Sequence, residues 1–293
     1  MHAALESLLS RGTVVTDGAW GTELQKQGLA PGATPDLWNL ERPEAVRRVA
    51  ESYVAAGSRI VLTNTFRSNR IALGEATPGV AALNAAGVRL SRAAAAGRAA
   101  VFASMGPSGK LLMAGDVTQE ALEAAFAEQA GALSAAGADA LLLETMTDLE
   151  EALIALGAAK ATGLPVVVSM VFDSGPEKDC TMMGATPEEV ARTLAEAGAD
   201  AVGANCGLGV QGYVGVCRRL RRSTDLPLWI KPNAGLPELV EGRIVYRTTP
   251  EEFAAGAVAV REAGGNFIGG CCGTSPDYIR AAARALASGP GRA

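Results

Sequence analysis

Four times along this chain an Ala-rich amphipathic stretch runs into a glycine and then into a short apolar run that ends in polar residues. The segments read "ESYVAAGSRIVLTNT", "GALSAAGADALLLET", "TLAEAGADAVGANC" and "VREAGGNFIGGCC". Glycine reaches left-handed backbone angles without steric cost, so Gly57, Gly137, Gly198 and Gly264 are expected to end helices. The runs that follow are short and do not alternate, the pattern of strands in a parallel sheet buried on both faces. Seven residues beyond each glycine stand Asn64, Glu144, Asn205 and Cys271. One helix–strand register thus recurs, and each time it closes a strand on a group able to do chemistry.

Four further apolar runs fill the intervals: "TVVTDG" at 13–18, "AVFASMG" at 100–106, "PVVVSMVF" at 165–172 and "PLWIKPN" at 227–233. Helical patterns lie between them, for example over 44–56, 119–136, 187–197 and 250–263. Two of these open on Thr-Pro-Glu-Glu, with Thr186 or Thr249 as N-cap and proline at the first helical position. Eight strand–helix units in 293 residues predict an α/β fold of the closed (β/α)8 barrel type. No linker or low-complexity stretch divides the chain, so a single domain over 1–293 is expected. The repeated register then falls on strands two, four, six and eight. Alternate strands share layers in such a barrel, so their end groups should meet at one height of the mouth.

Composition sets the context. A net charge of −5, with no basic cluster beyond "RRLRR" at 218–222, argues against nucleic acid, and that run reads as a solvated helix face. No charge-free stretch of 18 apolar residues offers a membrane span, and the N-terminus lacks the apolar core of a secretion signal. Five cysteines without an export signal then point to a reducing compartment, the cytoplasm.

Two of the five cysteines are adjacent, in "GGCCGTS" at 269–275. Neighbouring Cα atoms are too close for ordinary disulfide geometry, so Cys271 and Cys272 are expected to serve as thiols. Cys206 closes strand six, two strands away. Three thiols at one rim resemble a metal site with three protein ligands and an open fourth position. Cys180, in the loop after strand five, could complete a closed structural site instead, whereas Cys217 falls within a helix and His2, the sole histidine, in a terminus read as frayed. Free cysteines are also often no more than small buried hydrophobes.

The strand-end segments "DGAWGTELQKQG" (17–28), "TNTFRSN" (63–69), "ASMGPSG" (103–109), "LLLETM" (141–146), "VGANCGLG" (202–209), "IKPNAG" (230–235) and "IGGCCGTSP" (268–276) together resemble the homocysteine S-methyltransferase family. That family includes the homocysteine-binding module of cobalamin-dependent methionine synthase and the betaine–homocysteine methyltransferases. The resemblance covers about residues 10–287. It implies a barrel that holds Zn2+ on Cys206, Cys271 and Cys272, with homocysteine as methyl acceptor and methionine as product. It assigns Asp17, Gly18, Ala19 and Glu144 to the amino-acid end of homocysteine, and Asn205 is placed with them. Asn233 resembles an exchangeable oxygen ligand to the metal.

The residue types suit that chemistry. Only a thiolate is a competent sulfur nucleophile, and a metal bound to the substrate sulfur drives off its proton. Three cysteine thiolates leave the metal electron-rich, so the substrate sulfur stays nucleophilic. Plainer roles stand beside these: Asp17 before a glycine shapes a turn, Glu144 pairs with Lys231, and Asn233 fixes its loop.

The methyl donor is less determined. One barrel has no room for the folate and corrinoid modules of a complete methionine synthase. Betaine or a sulfonium compound is expected, with Trp20, Trp38 and Phe66 as candidate aromatic faces for its cation. The alternatives are methyl supply from methylcobalamin or a separate corrinoid protein, a non-catalytic homocysteine- or zinc-binding regulator, and a barrel aldolase using Lys231. The oligomeric state is not encoded in any pattern found.

Overall fold

The computed structural model describes residues 2–74, 79–240 and 243–288; Met1 and residues 289–293, the ends of the expected domain, lie outside them. The strands are β1 (Val14–Val15), β2 (Ile60–Leu62), β3 (Ala100–Met105), β4 (Ala140–Met146), β5 (Val166–Met170), β6 (Ala201–Gly209), β7 (Leu228–Asn233), β8 (Glu238–Val240), β9 (Arg243–Val245) and β10 (Phe267–Ile268). Eight of them form one sheet in the order β1-β10-β7-β6-β5-β4-β3-β2, all parallel. Helices alternate with these strands, as a (β/α)8 barrel requires. The strands β8 and β9 are a separate antiparallel hairpin between β7 and the following helix.

The helix ends follow the glycine register. Gly57, Gly137, Gly198 and Gly264 all have positive φ, between 85° and 108°. Thr186 and Thr249 cap Pro187–Glu196 and Pro250–Glu262 as expected, the second with a full capping box to Glu252.

β1 and β2 are the end strands of the ladder, so the barrel closes across a seam. The Arg59 N–H donates to the Val15 carbonyl (2.8 Å), and the Ser58 hydroxyl to the Thr16 carbonyl (3.2 Å). The third bond comes from a side chain: the Leu62 N–H donates to Asp17 Oδ2 at 2.7 Å. A two-residue β1 has too few backbone groups for a full ladder, and the carboxylate supplies the missing acceptor.

The barrel interior is packed by Val14, Ile60, Leu62, Phe102, Trp229 and Phe267, among others, with Trp229 stacked 5.7 Å from Phe102. Gly203 makes this possible, because a Cβ there would stand 1.8 Å from the Trp229 carbonyl oxygen. The N-terminus departs from the frayed reading. Ala3–Leu9 is a helix, capped by His2 Nδ1, and it buries Leu5 completely in the same interior cluster. Leu5, with Leu8 and Leu9 partly buried against the same cluster, supplies the apolar contact that orders a seven-residue helix otherwise too short to persist.

Candidate functional site

Two strand ends are bent where they meet the mouth. Thr145 on β4 and Cys206 on β6 have φ of 60° and 63°, left-handed values that non-glycine residues adopt only when their surroundings enforce them. Each bend coincides with a register shift, between Leu143 and Met146 and between Cys206 and Gly209. Asn205 joins the two. Its oxygen accepts from the Thr145 N–H (2.8 Å) and the Ser169 hydroxyl (2.7 Å), and its Nδ2 donates to Thr145 Oγ1 (2.7 Å), with Cys271 Sγ at 3.9 Å. Asn205 is therefore fully buried behind the rim and outside the cavity lining. Where contact with substrate was expected, the structure shows the amide engaged with Thr145, Ser169 and Cys271.

The turn after β10 brings the remaining thiols to the same point. The Gly270 N–H donates to the Asp17 carbonyl (2.9 Å) and the Cys271 N–H to the Pro232 carbonyl (2.8 Å). A Cβ at Gly269 or Gly270 would lie 2.0–2.2 Å from a threonine hydroxyl, of Thr16 or Thr274, so only glycine permits this approach. Asn233 accepts from the Cys272 N–H (3.0 Å) and donates to the Gly207 carbonyl (3.1 Å), clamping the two cysteine-bearing loops.

The sulfurs of Cys206, Cys271 and Cys272 lie within 4.8 Å of one another. Hydrogen bonds from Cys271 and then Cys272 hold the Cys206 thiol well below its ordinary range, and those shared protons push both partners up. Tyr246, whose ring lies against Gly273, also hydrogen-bonds to Cys272 and draws it down. The donor set fits zinc. Thiolates about 2.3 Å from a tetrahedral ion stand roughly 3.8 Å apart, and three of them leave one position open. Cys180 is outside this cluster, contacting Asp179, and the Cys217 thiol, pushed up to about 12 by burial, lies within a helix.

The thiols line a cavity of about 300 Å3 together with Gly18, Ala19, Trp20, Asn64 and Glu144. Glu144 accepts from the Ser104 hydroxyl at 2.5 Å. Burial raises its pKa, opposed by the nearby Lys231 charge and the Ser104 bond. Lys231 pairs with Asp17 rather than with Glu144. Asp17 is fully buried and outside the cavity lining: one oxygen takes Lys231, the other the Leu62 N–H and the Trp20 indole N–H, both at 2.7 Å. Of the two carboxylates expected to meet an ammonium, the structure brings only Glu144 to the cavity. In the glycine-rich turn, the Ala19 N–H is already bonded to the Thr274 carbonyl (2.9 Å).

Among the aromatic candidates, Trp20 and Phe66 line the cavity and Trp38 does not. Trp38 is buried in the cluster beneath helix Pro43–Ala56, with the Arg42 guanidinium 4.4 Å above its ring. Its place in the same strand-one connection as Trp20 gave no signal of this, because helix Trp20–Lys26 and the residues up to Leu37 separate the two. Sequence reasoning missed Asp36, Arg67, Ser104, Thr145 and Lys231 as lining residues. Ser104 and Thr145 could have been found, since they end strands three and four. Asp36 lies in the one-turn 3-10 helix Pro35–Leu37, too short for any periodicity to mark it.

The profile of the family described as homocysteine S-methyltransferase matches residues 14–286. The methionine synthase of Mycobacterium leprae is 32% identical over 97% of this chain, which spans 25% of that protein's length. Betaine–homocysteine S-methyltransferase 1 of Mus musculus is 30% identical over 97% of this chain and 74% of its own. The crystal structure of the homocysteine methyltransferase MmuM from Escherichia coli, in its metallated form, superposes with a TM-score of 0.79 at 26% identity, covering 96% of this chain and 99% of that one. Among the described residues no helix is long and apolar enough to cross a membrane. Fold, motif order and whole-length similarity agree that the chain belongs to the homocysteine S-methyltransferase family.

Proposed function

We propose that this chain transfers a methyl group from a small onium donor to the sulfur of homocysteine, giving methionine, with Cys206, Cys271 and Cys272 holding zinc. The observation that carries this reading is the convergence of three thiols, from β6 and from the turn after β10, in the lining of one cavity. Zinc bound there supplies acidity to an incoming thiol, so that it reacts as a thiolate at neutral pH.

The rest is done by the chain. Glu144, engaged by the Ser104 hydroxyl at one oxygen, faces the cavity and takes the substrate ammonium. Lys231 cannot compensate Glu144 fully, because Asp17 already holds it, so the floor keeps a net negative charge suited to a cation. Gly18 and Ala19 line the cavity and border the carboxylate end of the substrate. Asn205 and Asn233 fix the loops that carry the thiols.

A second reading has one observation in its favour. Met113, Met182, Leu236, Leu239 and Ile244 are exposed, and all are on connections that leave the C-terminal strand ends, the face where the cavity opens. An apolar mouth suits a protein that delivers the methyl group, such as a separate corrinoid protein.

The test of the acceptor chemistry is direct. Cys206→Ser, Cys271→Ser and Cys272→Ser should each lose most bound zinc by metal analysis and nearly all methyl transfer, with an unchanged circular dichroism spectrum. Stoichiometric zinc and full turnover in one of them would remove that cysteine from the site, and zinc-loaded protein that binds homocysteine without any turnover would favour a regulator.

A further inference from the structure

A second cavity, of about 490 Å3, opens at the opposite end of the barrel, on the N-terminal side of the strands. Arg11 comes before β1, Gly57 and Arg59 before β2, Arg261 is in the last turn of helix Pro250–Glu262, and Leu286 is in the last turn of helix Pro276–Ala287. It shares no lining residue with the cavity that holds the thiols. Three guanidinium groups and no carboxylate line it, in a chain whose net charge is −5. A guanidinium carries five N–H donors. Arg59 uses one on the Leu8 carbonyl and Arg261 one on the Leu286 carbonyl, both at 3.2 Å, whereas the Arg11 side chain bonds to no described residue. None of the three pairs with a described carboxylate.

The two carbonyl bonds tie down helix C-termini, where carbonyls lack partners and cations are favoured. That structural role accounts for one donor on each half-buried arginine and for nothing of Arg11. Like charges gathered on one cavity repel, and an anion among them offsets the cost. We infer that this cavity binds a small polyanion, a phosphorylated or polycarboxylated metabolite with at least two negative charges, on Arg11, Arg59 and Arg261. Val15 and Leu286 give the less polar part of such a ligand an apolar wall. Arg11 reaches the cavity from the β1 side and Arg59 from the β2 side, so the bound anion spans the seam where the ring closes. Occupancy stabilises the barrel from the end away from the thiols, by binding the folded chain alone. The inference stands apart from the methyl-transfer reading.

Calorimetric titration of the zinc-loaded chain with pyrophosphate, ADP and tricarballylate, at constant ionic strength and with zinc content confirmed by metal analysis, tests this. At least one of them should bind saturably, one per chain, and a preference for the phosphates or for tricarballylate identifies the class. Arg11→Gln, which removes no bond of the folded chain, should weaken that binding about tenfold or more. Arg11→Gln combined with Arg261→Gln should abolish it. Arg89→Gln, an equal change of charge at an exposed site on helix Val80–Ala95, should leave affinity within about twofold of wild type, as should Arg67→Gln at the other cavity. The Arg59 amide donates to the Val15 carbonyl across the seam, and its hydrogen exchange should slow when the anion is added. No saturable binding of any of the three at millimolar concentration, wild-type affinity in Arg11→Gln, or an equal loss in Arg89→Gln or Arg67→Gln would each overturn the inference and leave the thiol site standing. Binding without slower exchange at Arg59 would overturn the placement across the seam.

Discussion

Glu144 is a carboxylate that the fold tolerates rather than favours. Burial raises its pKa above the unfolded value, so the folded state binds more protons than the unfolded one in the window above the ordinary glutamate range. The stability linked to this group is present below the unfolded pKa and lost as pH rises through the folded one. Glu144→Gln keeps a partner for Ser104 and removes the charge. It should therefore raise the Tm of the ligand-free protein at pH 7, and the gain should vanish as pH falls into the ordinary glutamate range. The same variant should weaken homocysteine binding tens-fold or more by calorimetry, because an ion pair deprived of one charge costs a few kcal/mol, with zinc content unchanged. A lower Tm together with unaltered affinity would assign Glu144 to the scaffold. The sequence marked this residue through its register position, whereas its neighbour in space, Ser104, comes from 40 residues away and is marked only by its place near the end of strand three.

At the scale of elements, close strand contacts depend on absent side chains. Gly203 on β6 allows the Trp229 backbone of β7 to approach, and an alanine Cβ would overlap backbone rather than a movable side chain. Gly203→Ala should destabilise by about 3 kcal/mol or more, read from the urea midpoint. Gly131 gives the contrast: it is exposed in helix Gln119–Ala135, and a Cβ there meets nothing within 4 Å. Gly131→Ala should stabilise by about 0.5–1 kcal/mol. Most strand ends and helix caps were legible because helix period, glycine termination and threonine caps are local. The hairpin β8–β9 was not, since "LPELV" and "RIVYR" are short runs inside a connection, and the exposure of Leu239 and Ile244 departs from the rule that apolar runs are buried.

For the whole molecule, closure of the barrel rests on a buried ion pair. Asp17 and Lys231, 214 residues apart, meet where Lys231 lines the cavity, and the same carboxylate ties β1 to Leu62 across the seam. Asp17→Asn leaves an uncompensated ammonium in a nearly solvent-free site, which should cost about 3–5 kcal/mol. Asp17→Asn with Lys231→Met should recover a good part of that loss in a double-mutant cycle. In the single variant the Leu62 amide should also lose hydrogen-exchange protection ahead of the amides of β4 and β5. Equal protection across all three strands would show that the seam does not depend on this pair.

The chain alone determined the eight-unit barrel, the four glycine stops and the gathering of Cys206, Cys271 and Cys272, because periodicity, backbone freedom and strand-end register are read from neighbours in sequence. It did not determine which charges meet. Lys231 was as free on paper to pair with Glu144 as with Asp17, and Asp17 as free to face substrate as to close a seam. Trp38 looked as available to the cavity as Trp20. These outcomes follow from which strand lies beside which around a closed ring and from how deeply each side chain is buried. Electrostatic partners are chosen by distance and solvent exclusion, and both exist only once the ring has closed.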